Sequence, residues 1–181
     1  MAESANVANT ATVEPQAVVY GKATVLGEAF VGGRARVCDR AVVADWAQVY
    51  DRAIVNGGAT VSDYARICDH GYIGNRAKIT GKAVVSGSAG VIGDAQVGDE
   101  AKVYEDVLVQ DFAQVWGMAH IYGRAKLLDR VRVGPGARVG GTAILKGNAT
   151  LQYGLITEGT RGGLGIDDIR RLFELDQSIG F

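Results

Sequence analysis

The chain has 181 residues, a formal net charge of −1 and only two cysteines. This length fits a single domain, and a net charge near zero provides no basic field for a phosphate backbone, so we expect no nucleic-acid partner. Two cysteines are too few for a disulfide framework, and the sequence shows neither a signal peptide nor an apolar run of membrane-spanning length. We therefore expect a protein without a membrane partner that is cytoplasmic, or part of a phage or secreted particle.

A six-residue repeat occupies most of the chain. Every sixth residue from Val7 to Leu151 is aliphatic, and 22 of the 25 positions two places earlier hold Ala. Two places after the aliphatic residue stands a turn former, mostly Gly, Asp or Asn. Residues two apart lie on the same side of an extended chain, so each hexad predicts a short strand with one buried side, followed by a bend. A helix is excluded because residues six apart on a helix point in directions about 120° apart.

The A-x-V-x-G/D hexads resemble the hexapeptide-repeat left-handed β-helix superfamily, and in particular bacterial and phage proteins built almost wholly of such hexads. The resemblance implies an all-β fold in which three hexads form each coil of a left-handed, triangular β-solenoid. We predict this β-helix over residues 5–156. At one strand spacing per coil it has about eight coils and a length of about 40 Å.

Outward residues spaced one coil apart separate three sides of the predicted solenoid. One side is polar and one carries several tyrosines, whereas the remaining side is mainly apolar. A thin prism gains stability by burying an outer surface, so we predict that the apolar side makes a homo-oligomer, specifically a trimer. Its contact residues are Tyr20, Ile54, Tyr72, Ile92, Leu108, Leu128 and Ile144.

The repeat ends near Tyr153. The Gly-rich residues 157–165 are predicted to be a linker, and residues 166–181 a short C-terminal helix. Asp167 can cap this helix, whose apolar side comprises Ile169, Leu172 and Phe173. About ten helical residues are marginal alone in water, so this tail is expected to dock on the end of the solenoid or on a protein partner.

The resemblance also implies two possible enzymatic activities. Acyltransferases of this type use coenzyme A and a catalytic histidine, and carbonic anhydrases of this type hold zinc with three histidines. The only histidines are His70 and His120, which are not at ligand spacing, so we expect no metal site and no cofactor. His70, beside Asp69 at a corner, is the candidate base if the protein is an acyltransferase; the simpler interpretation is a solvated turn residue.

Aromatic and acidic residues also recur at the spacing of one coil. Trp46 stacks under Tyr64, and one side carries Tyr50, Tyr104 and Tyr122, with His120 beside the last. Exposed aromatic rings can receive sugars, which makes a glycan-binding surface a second alternative to simple packing between strands. Stacked Asp residues at the corners could hold calcium or serve only as turn formers beside arginines.

The sequence thus favours a non-catalytic structural or binding β-solenoid that self-associates and joins a larger assembly. A coenzyme A-dependent acyltransferase and a glycan-binding protein are the alternatives.

Overall fold

The computed structural model describes residues 4–162, which form an all-β parallel solenoid with three sides. Each strand continues the turn of the chain onto the next side, and the strand three places later lies beside it in parallel. Strands are numbered in chain order. The first side contains β1 (Asn6–Val7), β4 (Thr24–Val25), β7 (Val42–Val43), β10 (Thr60–Val61), β13 (Lys78–Ile79), β16 (Gln96–Val97), β19 (Gln114–Val115) and the starts of β22 (Arg132–Val139) and β24 (Thr150–Ile156).

The other two sides have the same construction. The second side contains β2 (Thr12–Val13), β5 (Phe30–Val31), β8 (Gln48–Val49), β11 (Arg66–Ile67), β14 (Val84–Val85), β17 (Lys102–Val103), β20 (His120–Ile121) and the ends of β22 and β24. The third side contains β3 (Val18–Val19), β6 (Arg36–Val37), β9 (Ile54–Val55), β12 (Tyr72–Ile73), β15 (Gly90–Val91), β18 (Leu108–Val109), β21 (Lys126–Leu127), β23 (Ile144–Lys146) and β25 (Thr160–Gly162). Since β22 and β24 each serve two sides, the strands make about nine turns.

The repeat sets the register of the sheets. Strand β8 places Gln48 beside Arg66 of β11, 18 residues later, and the same spacing relates Tyr72 to Gly90. Backbone N–H groups of outward residues donate to carbonyls of the next turn, as Tyr50 does to Ile67 at 3.0 Å. The predicted all-β solenoid is therefore confirmed, with turns of 18 residues.

The core is a single column of small and aliphatic side chains. From Ala23 to Ala149 the inward Ala, Val, Ile and Leu side chains are no more than 1% exposed. Among the residues that the structure describes, no polar or charged side chain is buried. The first turn is more open, since Val7 is 41% exposed. All other side chains point outward, so any binding surface must be built from the residues between the repeat positions.

The corners explain the acidic residues of the repeat. Eight Asp residues and Glu105 occupy corners with positive φ, a conformation that Asp tolerates better than most residues. Each of these nine carboxylates accepts a hydrogen bond of 2.6–3.2 Å from the corner backbone N–H one turn later. The corner acids therefore link successive turns, which supports the interpretation as turn formers over the interpretation as calcium ligands.

The last turn departs from the repeat. Val133 pairs with Leu151 at the usual spacing, but Gly136 pairs with Tyr153 and Ile144 with Thr160, so this turn is two residues shorter. The end of β24 and β25 complete the ninth turn after the sequence repeat ends near Tyr153.

The paired strand β25, Thr160–Gly162, falls within the predicted linker of residues 157–165. The remaining predicted linker residues after Gly162, and the predicted helix with Ile169, Leu172 and Phe173, lie outside the described residues. Within residues 4–162, no helix is long and apolar enough to span a membrane.

Candidate functional site

His70 lies on an exposed corner that follows β11. It borders an open depression of about 440 Å³ whose other lining residues are Gly33, Arg34, Asp51, Arg52 and Asp69. The carboxylate of Asp69, which would orient a catalytic histidine, accepts a hydrogen bond from the backbone N–H of Gly87 at 2.9 Å. This carboxylate thus serves the corner structure, and the depression is a shallow polar surface.

A polar cluster lies next to this corner on the second side. Arg66 Nη2 donates to the hydroxyl of Tyr50 at 3.1 Å, and Cys68 lies between them and the corner acids. Burial raises the pKa of the Cys68 thiol above its ordinary value, and the negative charges of Asp69 and Asp51 raise it further, while Tyr50 and Arg66 act in the opposite direction. Burial also raises the pKa of Tyr50.

The same cluster contains the one group of potential metal ligands among the described residues. Ligand atoms of Asp51, Cys68 and Asp69 lie within 4.8 Å of one another. Both carboxylates already accept backbone hydrogen bonds, from Asp69 and Gly87 respectively. These backbone hydrogen bonds account for the positions of the two carboxylates without a metal ion.

Further along the second side, three ring side chains pack together. Tyr104 and Tyr122 stack with centroids 5.8 Å apart, and His120 meets Tyr104 edge-on at 6.4 Å. Burial raises the pKa of Tyr104, and burial together with Lys102 and Arg138 lowers the pKa of His120. All three side chains are half-buried.

Tyr50 does not join this ring cluster. It lies three turns below Tyr104, and Cys68 and Ser86 occupy the same position in the two turns between them. The predicted tyrosine column is thus two separate features of the second side.

Trp46 and Tyr64 form the most exposed aromatic pair of the predicted residues. Their rings stack with centroids 5.2 Å apart and an interplanar angle of 7°, and the two residues are 53% and 54% exposed. The backbone N–H of Trp46 donates to the carbonyl of Asp63 at 2.9 Å, which fixes the two turns relative to each other. The pair stands at the corner between the first and second sides.

The predicted apolar residues lie outward on the third side. Ile54, Tyr72 and Leu108 occupy the same outward position of β9, β12 and β18, with Gly90 of β15 between the last two. Tyr72 donates its hydroxyl to Asn56 Oδ1 at 3.1 Å, so its ring lies along the sheet. We call the outward residues Tyr20, Ile54, Tyr72, Ile92, Leu108, Leu128 and Ile144 the apolar strip.

Some outward residues escaped the sequence analysis. Trp116 on the first side lies over Gly134, and the Arg130 guanidinium lies 5.7 Å from the ring centroid of Phe112 at a corner. The contact of Trp116 with Gly134 could have been predicted from the sequence, since an outward Gly one turn beyond an aromatic residue leaves room for the ring. Tyr122 over Gly140 follows the same pattern.

Comparison with protein-family models and with curated proteins gave no match to this chain. The candidate functional surfaces are the polar corner at His70, the aromatic corner at Trp46 and Tyr64, and the apolar strip.

Proposed function

We propose that this chain is a non-catalytic structural β-solenoid of the left-handed hexapeptide-repeat class, which self-associates as a trimer through its apolar strip and joins a larger assembly through its C-terminal residues. The parallel turns of 18 residues support the class. The apolar strip is the observation that carries the self-association.

The apolar strip is densest in the middle of the third side. In the middle of the third side, Ile54, Tyr72, Ile92 and Leu108 come from four successive turns, and all four are outward and partly exposed. Charged residues interrupt the strip towards both ends, since Arg36 lies between Val18 and Ile54 and Lys126 lies between Leu108 and Ile144. Arg36 donates to the Tyr20 hydroxyl at 2.8 Å and lies against its ring, which holds the charged guanidinium beside the strip.

The size of the third side is sufficient for a stable interface. Nine turns at one strand spacing give a length of about 40 Å, and a six-residue side has a width of about 20 Å. The resulting area of about 800 Å² is what each partner buries in an interface of standard size. Around a threefold axis the interfaces are heterologous, so one edge of this side would contact one neighbour and the other edge would contact the second.

The acyltransferase alternative finds less support. Its candidate base His70 is exposed, and the carboxylate of Asp69 is hydrogen-bonded to the backbone of Gly87. The strands also recur every six residues from β1 to β21, without an inserted loop. Acyltransferases of this class would use such a loop to cover their substrate.

Light scattering of the full chain after size-exclusion chromatography tests the self-association. We expect a trimer, and we expect the double variant Ile54→Lys with Leu108→Lys to be a folded monomer, because two charges would be buried unpaired in the interface. The matched control is Thr60→Lys with Gln96→Lys, at equivalent outward positions of the first side, which should remain a trimer. A wild-type chain that stays monomeric at high concentration contradicts the proposal.

A truncation tests the role of the C-terminal residues. It should begin after Gly162, because β25 is part of the last turn. We expect a chain of residues 1–162 to retain the β-sheet circular dichroism spectrum and the trimer but to lose capture of its partner from native lysate. Equal capture by both chains contradicts this part of the proposal.

A further inference from the structure

We propose that the second side carries a binding site for a neutral oligosaccharide, formed by the two neighbouring rungs 45–52 and 63–70. This site is separate from the apolar strip on the third side and does not depend on self-association. Its parts are an aromatic platform at one corner, hydrogen-bonding side chains across the middle, and a polar depression at the other corner.

The platform is the Trp46–Tyr64 pair. The two rings are nearly parallel and each residue is more than half exposed. The C–H face of a pyranose ring is apolar and flat, so it can cover an aromatic face that water would otherwise contact. Stacking covers one face of each ring and leaves the other face of each exposed ring for a ligand, whereas the less exposed ring of Tyr122 packs over Gly140.

The middle of the rungs supplies donors and acceptors. Gln48 and Arg66 are direct neighbours on β8 and β11, and both are exposed. Arg66 is held in place by its hydrogen bond to the Tyr50 hydroxyl at 3.1 Å. The Gln48 amide can both donate and accept, which is the combination that sugar hydroxyls require.

The far corner supplies the remaining polar groups. Arg52 and His70 occupy equivalent positions of the two rungs and line the depression of about 440 Å³. In both rungs, the corner carboxylates use Oδ2 for a backbone hydrogen bond, as Asp51 does with Asp69 at 3.2 Å. Their other oxygen has lone pairs to accept from a ligand hydroxyl.

The charges of the two rungs favour a neutral ligand. The two rungs carry four aspartates and two arginines, and Arg34 of the preceding turn also lines the depression. This surface has no excess of positive charge to attract a polyanion. From Trp46 to Arg52 the six residue steps span about 20 Å, which several linked pyranose rings can cover.

Isothermal titration calorimetry tests this site with cellotetraose, maltotetraose and chitotetraose as neutral probes and tetragalacturonate as the acidic probe. We expect at least one neutral tetrasaccharide to bind, with an affinity that changes little between low and high salt, and tetragalacturonate to bind more weakly. Trp46→Ala should lower the affinity about threefold to tenfold. Trp46→Phe should restore most of it, and Arg66→Gln should lower it about threefold.

Phe112→Ala with Arg130→Gln is the matched control, since it removes an exposed aromatic residue and an arginine at another corner. We expect this variant to bind as the wild type does. The proposal is overturned if none of the neutral probes binds at millimolar concentration, if tetragalacturonate binds best, or if Trp46→Ala leaves the affinity unchanged while its melting temperature shows it to be folded. It is also overturned if Trp46→Ala changes the oligomeric state, because the aromatic pair would then be a protein interface.

Discussion

The carboxylate of Asp63 accepts a hydrogen bond from the backbone N–H of Gly81 at 2.8 Å, one turn further along the solenoid. Asp63 itself has a φ of 59°, and its own N–H donates to the carboxylate of Asp45 at 3.1 Å. A single corner residue therefore combines an unusual backbone conformation with a link to the turns on either side.

Substitution of this corner residue tests the two roles together. We expect Asp63→Ala to lower the free energy of unfolding by about 1–2 kcal/mol, because Ala is disfavoured at positive φ and accepts no hydrogen bond from Gly81. Asp63→Asn is the control, since Asn tolerates this conformation and retains an acceptor oxygen. Denaturant unfolding followed by circular dichroism measures both. Equal destabilisation by Ala and Asn would contradict the assigned role of the side chain.

Two outward glycines should respond differently to a methyl group. A Cβ at Gly140 would clash with the ring of Tyr122, whereas a Cβ at Gly90 would meet only the Leu108 side chain at 3.5 Å. We expect Gly140→Ala to displace the Tyr122 ring, reduce its stacking on Tyr104 and destabilise the protein by about 1–3 kcal/mol. Gly90→Ala should be neutral or slightly stabilising. Thermal unfolding and near-ultraviolet circular dichroism report the two effects, and a loss of stability in both variants would contradict the prediction.

His120 should make stability depend on pH. Burial, and then Lys102 and Arg138, lower its pKa in the folded protein below the ordinary value of 6.5. The unfolded chain therefore binds the proton more readily, so stability is fully present above the unfolded pKa and falls as the pH drops below it. We expect His120→Gln to lose less stability than the wild type between pH 7 and about pH 5.

The pKa of His120 can also be measured directly. A titration of its imidazole by nuclear magnetic resonance should give a value below that of a model peptide. Lys102→Gln should raise it towards the ordinary value without reaching it, because burial is the larger cause. A value above that of the peptide would contradict the prediction.

The Cys68 thiol should be less reactive than a free thiol. Its raised pKa leaves little thiolate at neutral pH, and the thiolate is the species that iodoacetamide alkylates. In a Cys38→Ala background, we expect Asp69→Asn to speed alkylation at a fixed pH, because it removes a negative charge beside the sulfur. The control is Asp99→Asn, at a corner where the carboxylate likewise accepts a hydrogen bond from a backbone N–H, that of Gly117. This substitution should leave the alkylation rate of Cys68 unchanged. An unchanged rate in Asp69→Asn would show that its charge does not reach the thiol.

The repeat predicted the core and the register almost completely. Each hexad has two inward positions, one held by Ala and the other by an aliphatic residue. A slip of one residue would turn both side chains outward, so only one register keeps them buried. The stacked pair Trp46 and Tyr64 follows from the same spacing, because residues 18 apart must be neighbours once the turn length is known.

The last turn of the solenoid extends beyond the residues whose strands the hexad pattern predicts. After Tyr153 the sequence has no hexads, yet β24 and β25 continue to pair, because backbone hydrogen bonding to an existing sheet edge does not require the Ala and Val letters. Thr160–Gly162, within the predicted linker of residues 157–165, form such a paired strand.

The sequence by itself therefore determined the all-β solenoid, its inward residues and the vertical neighbours on each side, since all of these follow from a strict period. Only the tertiary structure decided how the outward side chains are used. It showed that the corner carboxylates bind backbone N–H groups of the next turn, that Tyr122 lies on Gly140 while Trp46 and Tyr64 project into solvent, and that Arg66 is held by Tyr50. These outcomes depend on side-chain directions and distances across neighbouring turns, which a one-dimensional pattern of letters does not contain.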